Sequence, residues 1–153
     1  MIYYVICHIS GFDITVAEKD GGITQLFFGN DEIPEGIEKR TELLAEAENQ
    51  LREYFDGKRR KFQLPLAPEG TLFQRKVWEA LLTIPYGETK SYKEIAVQIG
   101  NEKACRAVGM ANHRNPIGIF IPCHRVIGSG GKLVGYAGGL DKKRFLLGLE
   151  NGE

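Results

Sequence analysis

Apolar and polar residues alternate over three short stretches at the start of the chain, residues 2–8, 13–18 and 23–28. A period of two is the pattern of a half-buried strand, and Ser10-Gly11 and Asp20-Gly21-Gly22 supply the turns between them. The three stretches predict an antiparallel meander. The period then changes. Leu43, Leu44, Ala47, Leu51, Tyr54 and Phe55 recur at three- and four-residue spacing, which predicts an amphipathic helix over residues 38–55, stopped by Gly57. Residues 62–66 are the candidate for a last strand. Pro65, Pro68 and Gly70 mark a linker. A boundary is expected near residue 69, dividing the chain into domains 1–69 and 70–153.

The second half opens on Thr71-Leu72-Phe73-Gln74, a capping box, and predicts a helix over residues 71–84 that buries Phe73, Val77, Trp78, Leu81 and Leu82. Pro85-Tyr86-Gly87 ends it. Ser91-Tyr92-Lys93-Glu94 is a second capping box and opens a short helix to Ile99. Gly100-Asn101 is a tight turn, and a third helix runs over residues 103–112. Two short helices around a glycine turn have the form of a helix-turn-helix, whose second helix contacts nucleic acid; αα-hairpins also occur in proteins that never touch DNA. The apolar run 117–121 reads as a strand leading to a turn at Pro122. The glycines between 128 and 139 suit a hairpin and a loop whose backbone approaches a flat ligand. Asp141 is expected to cap a last helix through Glu150. The fold class is α+β.

Composition narrows the class. A chain of 153 residues buries enough surface to hold a core without disulfide or metal. Its three cysteines, Cys7, Cys105 and Cys123, form no C-x-x-C and point to a reducing compartment. No apolar run approaches the ~20 residues that span a bilayer. The expectation is a soluble, cytoplasmic protein with no membrane contact, nucleoid-associated if prokaryotic. Net charge is zero, yet residues 1–69 carry −5 and residues 70–153 carry +5. The basic half fits an anionic partner, with nucleic acid first; ordinary variation between solvated surfaces accounts for it equally well.

The candidate chemistry lies in Pro122-Cys123-His124-Arg125-Val126. A thiol becomes a strong nucleophile as thiolate, and an imidazole or cation beside it lowers its pKa. Pro122 turns the chain at the cysteine and would present the thiol at a sheet edge. On a regular strand the adjacent Cys and His would face opposite ways, and a free cysteine is most often a small buried hydrophobe.

Taken in order, Pro85-Tyr86-Gly87-Glu88-Thr89, Ser91-Tyr92, Arg106-Ala107-Val108-Gly109, Asn112, Arg114-Asn115-Pro116, Ile121-Pro122-Cys123-His124-Arg125-Val126 and Gly135-Tyr136-Ala137-Gly138-Gly139 resemble the O6-alkylguanine-DNA alkyltransferases, the methylated-DNA–protein-cysteine methyltransferases. The resemblance covers most of residues 71–150; the first half fits more loosely. It implies a ribonuclease-H-like N-terminal domain with a small antiparallel sheet, followed by a mostly helical DNA-binding and alkyl-transfer domain. It also implies a single-turnover repair protein. Cys123 would take the alkyl group from O6-alkylguanine irreversibly, with no cofactor and no metal; O4-alkylthymine is a further candidate substrate. Cys7 and His8 alone are too few for the N-terminal zinc site that some members carry.

The same resemblance implies the roles. His124 would deprotonate Cys123 through a water, Glu150 would orient His124, and Tyr92 would donate to the purine N3. Arg106 would fill the gap left by the flipped base, Asn112 would tie the helix-turn-helix to the active-site turn, and Ser91 and Arg114 would complete the DNA-facing set. Pro122, Val126, Tyr136, Ala137 and Gly138 would line the base pocket, with carbonyls of Cys123 and Val126 facing the guanine amino group. The partner would be double-stranded DNA, bound in the minor groove with weak sequence preference by a monomer. Taken as residues alone, Glu150 is a helix-end carboxylate, Asn112 a helix cap, Tyr92 a packing residue and Arg106 a solvated or phosphate-contacting arginine. A non-catalytic alkylguanine-binding module is the alternative. A cysteine hydrolase built on Cys123, His124 and Glu150 and a sequence-specific regulator are further readings; each leaves some of these motifs without a role.

Overall fold

The computed structural model describes residues 1–32 and 34–152. The chain divides into two compact units, residues 1–68 and 69–153. In the first, β1 (Ile2–Ile9), β2 (Phe12–Lys19) and β3 (Gly22–Phe28) form the antiparallel meander. Its turns take the left-handed backbone that Gly11 and Gly21 allow, with Ser10 and Asp20 drawn into the same region. A short β4 (Ile37–Glu38) adds to β1 in parallel, in the order β3-β2-β1-β4. Its second residue, Glu38, falls in the span expected to be helical, and the helix α1 (Glu42–Phe55) begins only at Thr41, whose hydroxyl accepts from the Leu44 amide. An N-cap hydroxyl holds the helix start more firmly than apolar spacing does. The predicted last strand over 62–66 reduces to one parallel bridge of Leu66 to Ile23, because the Pro65 ring removes a ladder donor. α1 lays Leu44, Ala47, Leu51, Tyr54 and Phe55 into the core, where β1 and β2 bury Val5, Cys7, Ile14 and Val16.

The second unit is built on α2 (Leu72–Leu81), α3 (Tyr92–Gln98), α4 (Cys105–His113) and α5 (Leu140–Glu150). Both predicted capping boxes are present, at Thr71 with Gln74 and at Ser91 with Glu94. Val77, Trp78 and Leu81 are buried, whereas Leu82 is largely exposed just past the end of α2. Trp78 donates its indole N–H to the Ala111 carbonyl at 2.9 Å, which fixes α2 against α4. α3 and α4 meet across a turn closed by Gly100 at φ +80°, giving the helix-turn-helix. No helix among the described residues is long and apolar enough to cross a membrane.

Three expectations fail here for local reasons. Residues 117–121 form no strand: they fold into a turn closed by Phe120 N–H to Gly118 O and Ile121 N–H to Ile117 O. The glycine-rich segment forms no hairpin. After β6 (Val126–Ile127), which pairs in parallel with β5 (Lys90–Ser91), the chain makes a 3-10 turn at Ser129–Gly131. Asp141 is not the cap of α5. That position is Gly139 at φ +100°, with no side-chain cap, and Asp141 lies in the first turn, where a negative charge suits the helix dipole.

Thr71→Ala removes the cap of α2 and is expected to cost the second unit about 1 kcal/mol. Urea unfolding followed by the fluorescence of Trp78, the single tryptophan, measures it.

Candidate functional site

Asn115 shapes the approach to the cysteine. Its amide donates to Ile121 O at 2.9 Å and Ile117 O at 3.4 Å, and its carbonyl accepts from Ile117 N–H at 3.0 Å. The turn it braces holds Ile119 at φ +67°. A β-branched residue there is strained by roughly 1–3 kcal/mol, which a fully packed surrounding sustains; Ile117, Ile119, Phe120 and Ile121 are all buried. The chain then enters a 3-10 turn, Cys123–Arg125. This is how adjacent Cys and His share one site: a tight turn replaces the alternation of a strand. Asn112, at the end of α4 and buried, donates its amide to the Cys123 carbonyl at 3.3 Å, joining the helix-turn-helix to the cysteine turn. That carbonyl also accepts from the Val126 amide.

Cys123 is 4% exposed and is not displayed at a sheet edge. Burial pushes its thiol up to about 11; the Asn115 amide and the Lys143 ammonium pull the other way without overcoming it. The resting group is a thiol, where the sequence pattern favoured a lowered pKa. Desolvation of the anion outweighs the nearby dipole and charge.

Behind the thiol lies a buried polar chain. His124 is fully buried, and its Nε2 lies 2.7 Å from Glu150 Oε2. Glu150 also accepts the Gly87 amide at 3.1 Å on Oε1 and a two-pronged bond from Arg125, Nε to Oε1 at 2.8 Å and a terminal nitrogen to Oε2 at 2.9 Å. Arg125 spends its remaining terminal nitrogen on Ile84 O at 2.7 Å. Burial holds the imidazole pKa below its ordinary value, against the pull of Glu150. Nδ1 of His124 and Oδ1 of Asn112 are buried with no hydrogen-bond partner among the described residues. Groups of this kind are normally satisfied by water or by a ligand.

The remaining site residues surround this center. The Tyr92 hydroxyl donates to Val134 O at 2.9 Å, and burial first, then the neighbouring Cys123, push its pKa above the ordinary value. Tyr136 is buried with its pKa well above the ordinary value. Pro122 and Val126 are buried, and Ala137 and Gly138 lie in the loop before α5. Arg106 and Arg114 are exposed on and just after α4. Ser91 spends its hydroxyl on capping α3 and lines a groove with Lys90, Lys93 and residues 128–131. Sequence reasoning missed three participants. Lys143, fully buried, donates to Val134 O and Gly135 O at 2.9 and 3.3 Å and lies near Cys123; a lysine in an amphipathic helix carries no signal of burial. Asn115 and Arg125 were visible only as members of matched motifs. Among the described residues no group of three His, Cys, Asp or Glu is placed to hold a metal ion.

In the cysteine turn, Cys123 is followed by a buried imidazole backed by a carboxylate. Comparisons with known proteins identify the family. Residues 2–68 match the ribonuclease-like domain of 6-O-methylguanine DNA methyltransferase, and residues 72–152 match its DNA binding domain. A methylated-DNA–protein-cysteine methyltransferase of Methanosarcina barkeri is 54% identical, covering 97% of both chains. The constitutive one of Bacillus subtilis is 48% identical over 98% of this chain and 96% of its own. Among solved structures, Mycobacterium tuberculosis O6-methylguanine methyltransferase superposes with a TM-score of 0.91 at 44% identity, covering 99% of this chain and 94% of that one. M. tuberculosis OGT in complex with DNA gives 0.90 at 46%, covering 98% and 93%.

In the folded chain a thiol reagent is expected to modify half-exposed Cys105 quickly and to spare buried Cys7 and Cys123 until unfolding. Peptide mass mapping over time checks this, and rapid labelling of Cys123 would contradict the buried thiol.

Proposed function

The chain belongs to the methylated-DNA–protein-cysteine methyltransferase family, and from that premise we propose that it repairs DNA by moving the alkyl group of O6-alkylguanine onto its own Cys123, once per molecule. The observation that carries the reading is the buried turn Cys123–Arg125, in which His124 follows the cysteine, is bonded to Glu150, and has its Nδ1 without a partner among the described residues.

The step balances as follows. The thiol proton of Cys123 passes through a bridging water to Nδ1 of His124, whose Nε2–H stays on Glu150. Sulfur forms the S–C bond as the C–O6 bond breaks, and its electron pair leaves on O6. Guanine departs as an anion, stabilised by a hydrogen bond from Tyr92 to N3. Tyr92 must leave Val134 O to give it. The thioether has no good leaving group, so sulfur is not regenerated. A soft alkyl carbon suits a sulfur nucleophile, and a thiol that ionises only within the site is spared from other electrophiles.

The partner in this reading is double-stranded DNA, bound by a monomer through α4 in the minor groove. The base must leave the stack, at a cost of a few kcal/mol. Arg106, exposed on α4, fills the vacancy; Arg114 and Ser91 contact the backbone, and Asn112 couples α4 to the cysteine turn. Pro122, Val126, Tyr136, Ala137 and Gly138 form the pocket wall, and the Val126 carbonyl meets the guanine amino group. The Cys123 carbonyl already takes two donors. Phosphate contacts hold the register without reading sequence.

Incubation with a duplex carrying one O6-methylguanine is expected to add a single methylene mass, mapped to Cys123 and saturating at one per chain, read by intact-protein mass spectrometry. Cys123→Ala is expected to abolish the addition and leave duplex binding nearly intact. Unchanged mass of the unsubstituted chain with clear duplex binding would replace transfer by lesion recognition without chemistry.

A further inference from the structure

The reaction proposed above needs a base with a bare nitrogen, and nothing in Cys123, His124 or Glu150 alone dictates which nitrogen of His124 that is. A neutral imidazole carries one proton, and its tautomer follows from what the other nitrogen meets. Nε2 meets Glu150 Oε2 at 2.7 Å. An ionised carboxylate only accepts, so it requires the proton on Nε2 and leaves Nδ1 bare. A protonated carboxyl can donate instead; it would then take the Nε2 lone pair and place the ring proton on Nδ1. The tautomer of His124 therefore depends on the ionisation of a carboxyl that is almost entirely buried, a setting that by itself favours the neutral acid.

One cation counters that burial directly. The Arg125 guanidinium lies in the plane of a two-pronged pair with both carboxylate oxygens, at 2.8 and 2.9 Å, and is itself only 7% exposed. Its bond to Ile84 O restrains the fork, and its Cζ lies over the Tyr86 ring, 5.8 Å from the ring centroid. The Gly87 amide adds a backbone donor to the carboxylate at 3.1 Å. Other charges around His124 do not substitute. Lys143, on α5, spends its recorded bonds on Val134 O and Gly135 O, and Cys123 is a neutral thiol at rest. A guanidinium stays charged throughout the accessible pH range and matches a carboxylate at two points.

We infer that Arg125 is a positioning residue of the transfer reaction: its fork keeps Glu150 ionised and squarely oriented, and thereby sets the Nε2–H tautomer that leaves Nδ1 of His124 free to take the Cys123 proton. Arg125 touches neither sulfur nor base; it acts through Glu150. The inference rests on the alkyl-transfer reading for its purpose and on the geometry alone for its content.

The test uses the full chain labelled with ¹⁵N, with the His124 ring read by long-range proton–nitrogen correlation without substrate, and single-turnover transfer measured separately. The unsubstituted protein is expected to show the neutral Nε2–H pattern at pH 7. Arg125→Met is expected to lose it, the ring becoming either Nδ1–H or imidazolium, and transfer is expected to fall by at least about 100-fold, the scale of a lost general base. Arg125→Lys keeps the charge without the fork and is expected to restore part of the Nε2–H pattern and part of the rate. A folded Arg125→Met chain with an unaltered ring pattern and an unaltered rate overturns the inference. If Arg125→Met does not fold, Arg125→Lys decides: a mixed ring pattern with a reduced rate supports the role, and an unaltered pattern and rate overturn it. Because the ring pattern needs no substrate, failure of the alkyl-transfer reading is distinguishable from failure of this one.

Discussion

The Glu150 carboxylate is the point on which the second unit turns. It is buried in the last helix and receives hydrogen bonds from three groups on two separate pieces of chain: the amide of the Gly87 turn before β5, and the imidazole and guanidinium of the cysteine turn. A charge removed from water is tolerated only when paired and fully hydrogen-bonded, and removal of one partner leaves a penalty of several kcal/mol. The constraint works in both directions. The carboxylate requires these donors, and its demand brings residues 25 to 63 positions distant in sequence to one place. Fold stability and the geometry of proton transfer thus draw on the same set of bonds.

Around that point the protein keeps its nucleophile latent. Burial holds Cys123 as a thiol, and the strained turn at Ile119, braced by Asn115, sets where the sulfur sits. Asn112 carries the connection from the turn to α4, so the element that exposes Arg106 is bonded to the backbone of Cys123 itself. In an irreversible reaction every stray alkylation consumes a molecule. Low intrinsic reactivity, relieved only when a substrate occupies the site, is the physical solution that this arrangement offers.

Much of this was legible in the residues. The meander, both capping boxes and the glycine turn of the helix-turn-helix followed from period, hydroxyl–carboxamide spacing and left-handed backbone. Those are local signals, and local physics decides them. The failures come from side-chain bonds, pairing and packing that spacing does not encode. Residues 117–121 carry a strand's composition, yet a single Asn115 side chain satisfies their backbone as a turn. β4 is too short to show periodicity and exists because β1 has a free edge. The cysteine and histidine were visible as a pair, but that burial would raise the thiol rather than the neighbours lower it depends on packing that no spacing encodes. Glu150 was assigned by resemblance alone; its contact with His124 spans too much chain to be read from pattern. Lys143 shows the limit most clearly, since nothing in its sequence context distinguishes a buried ammonium from a solvated one.

A proton path from Cys123 through a bridging water to His124 has one kinetic signature. Thiol and neutral imidazole together supply the reactive pair, so the rate depends on both groups and not on thiolate formed in bulk solution. The imidazole sits below its ordinary 6.5 and the thiol near 11. Single-turnover transfer from an O6-methylguanine duplex, measured against pH, is therefore expected to rise from acid with a midpoint below 6.5 and then to hold level through neutrality. A rate that instead climbs about tenfold with each pH unit across that neutral range, as free thiolate would, would contradict His124 as the base.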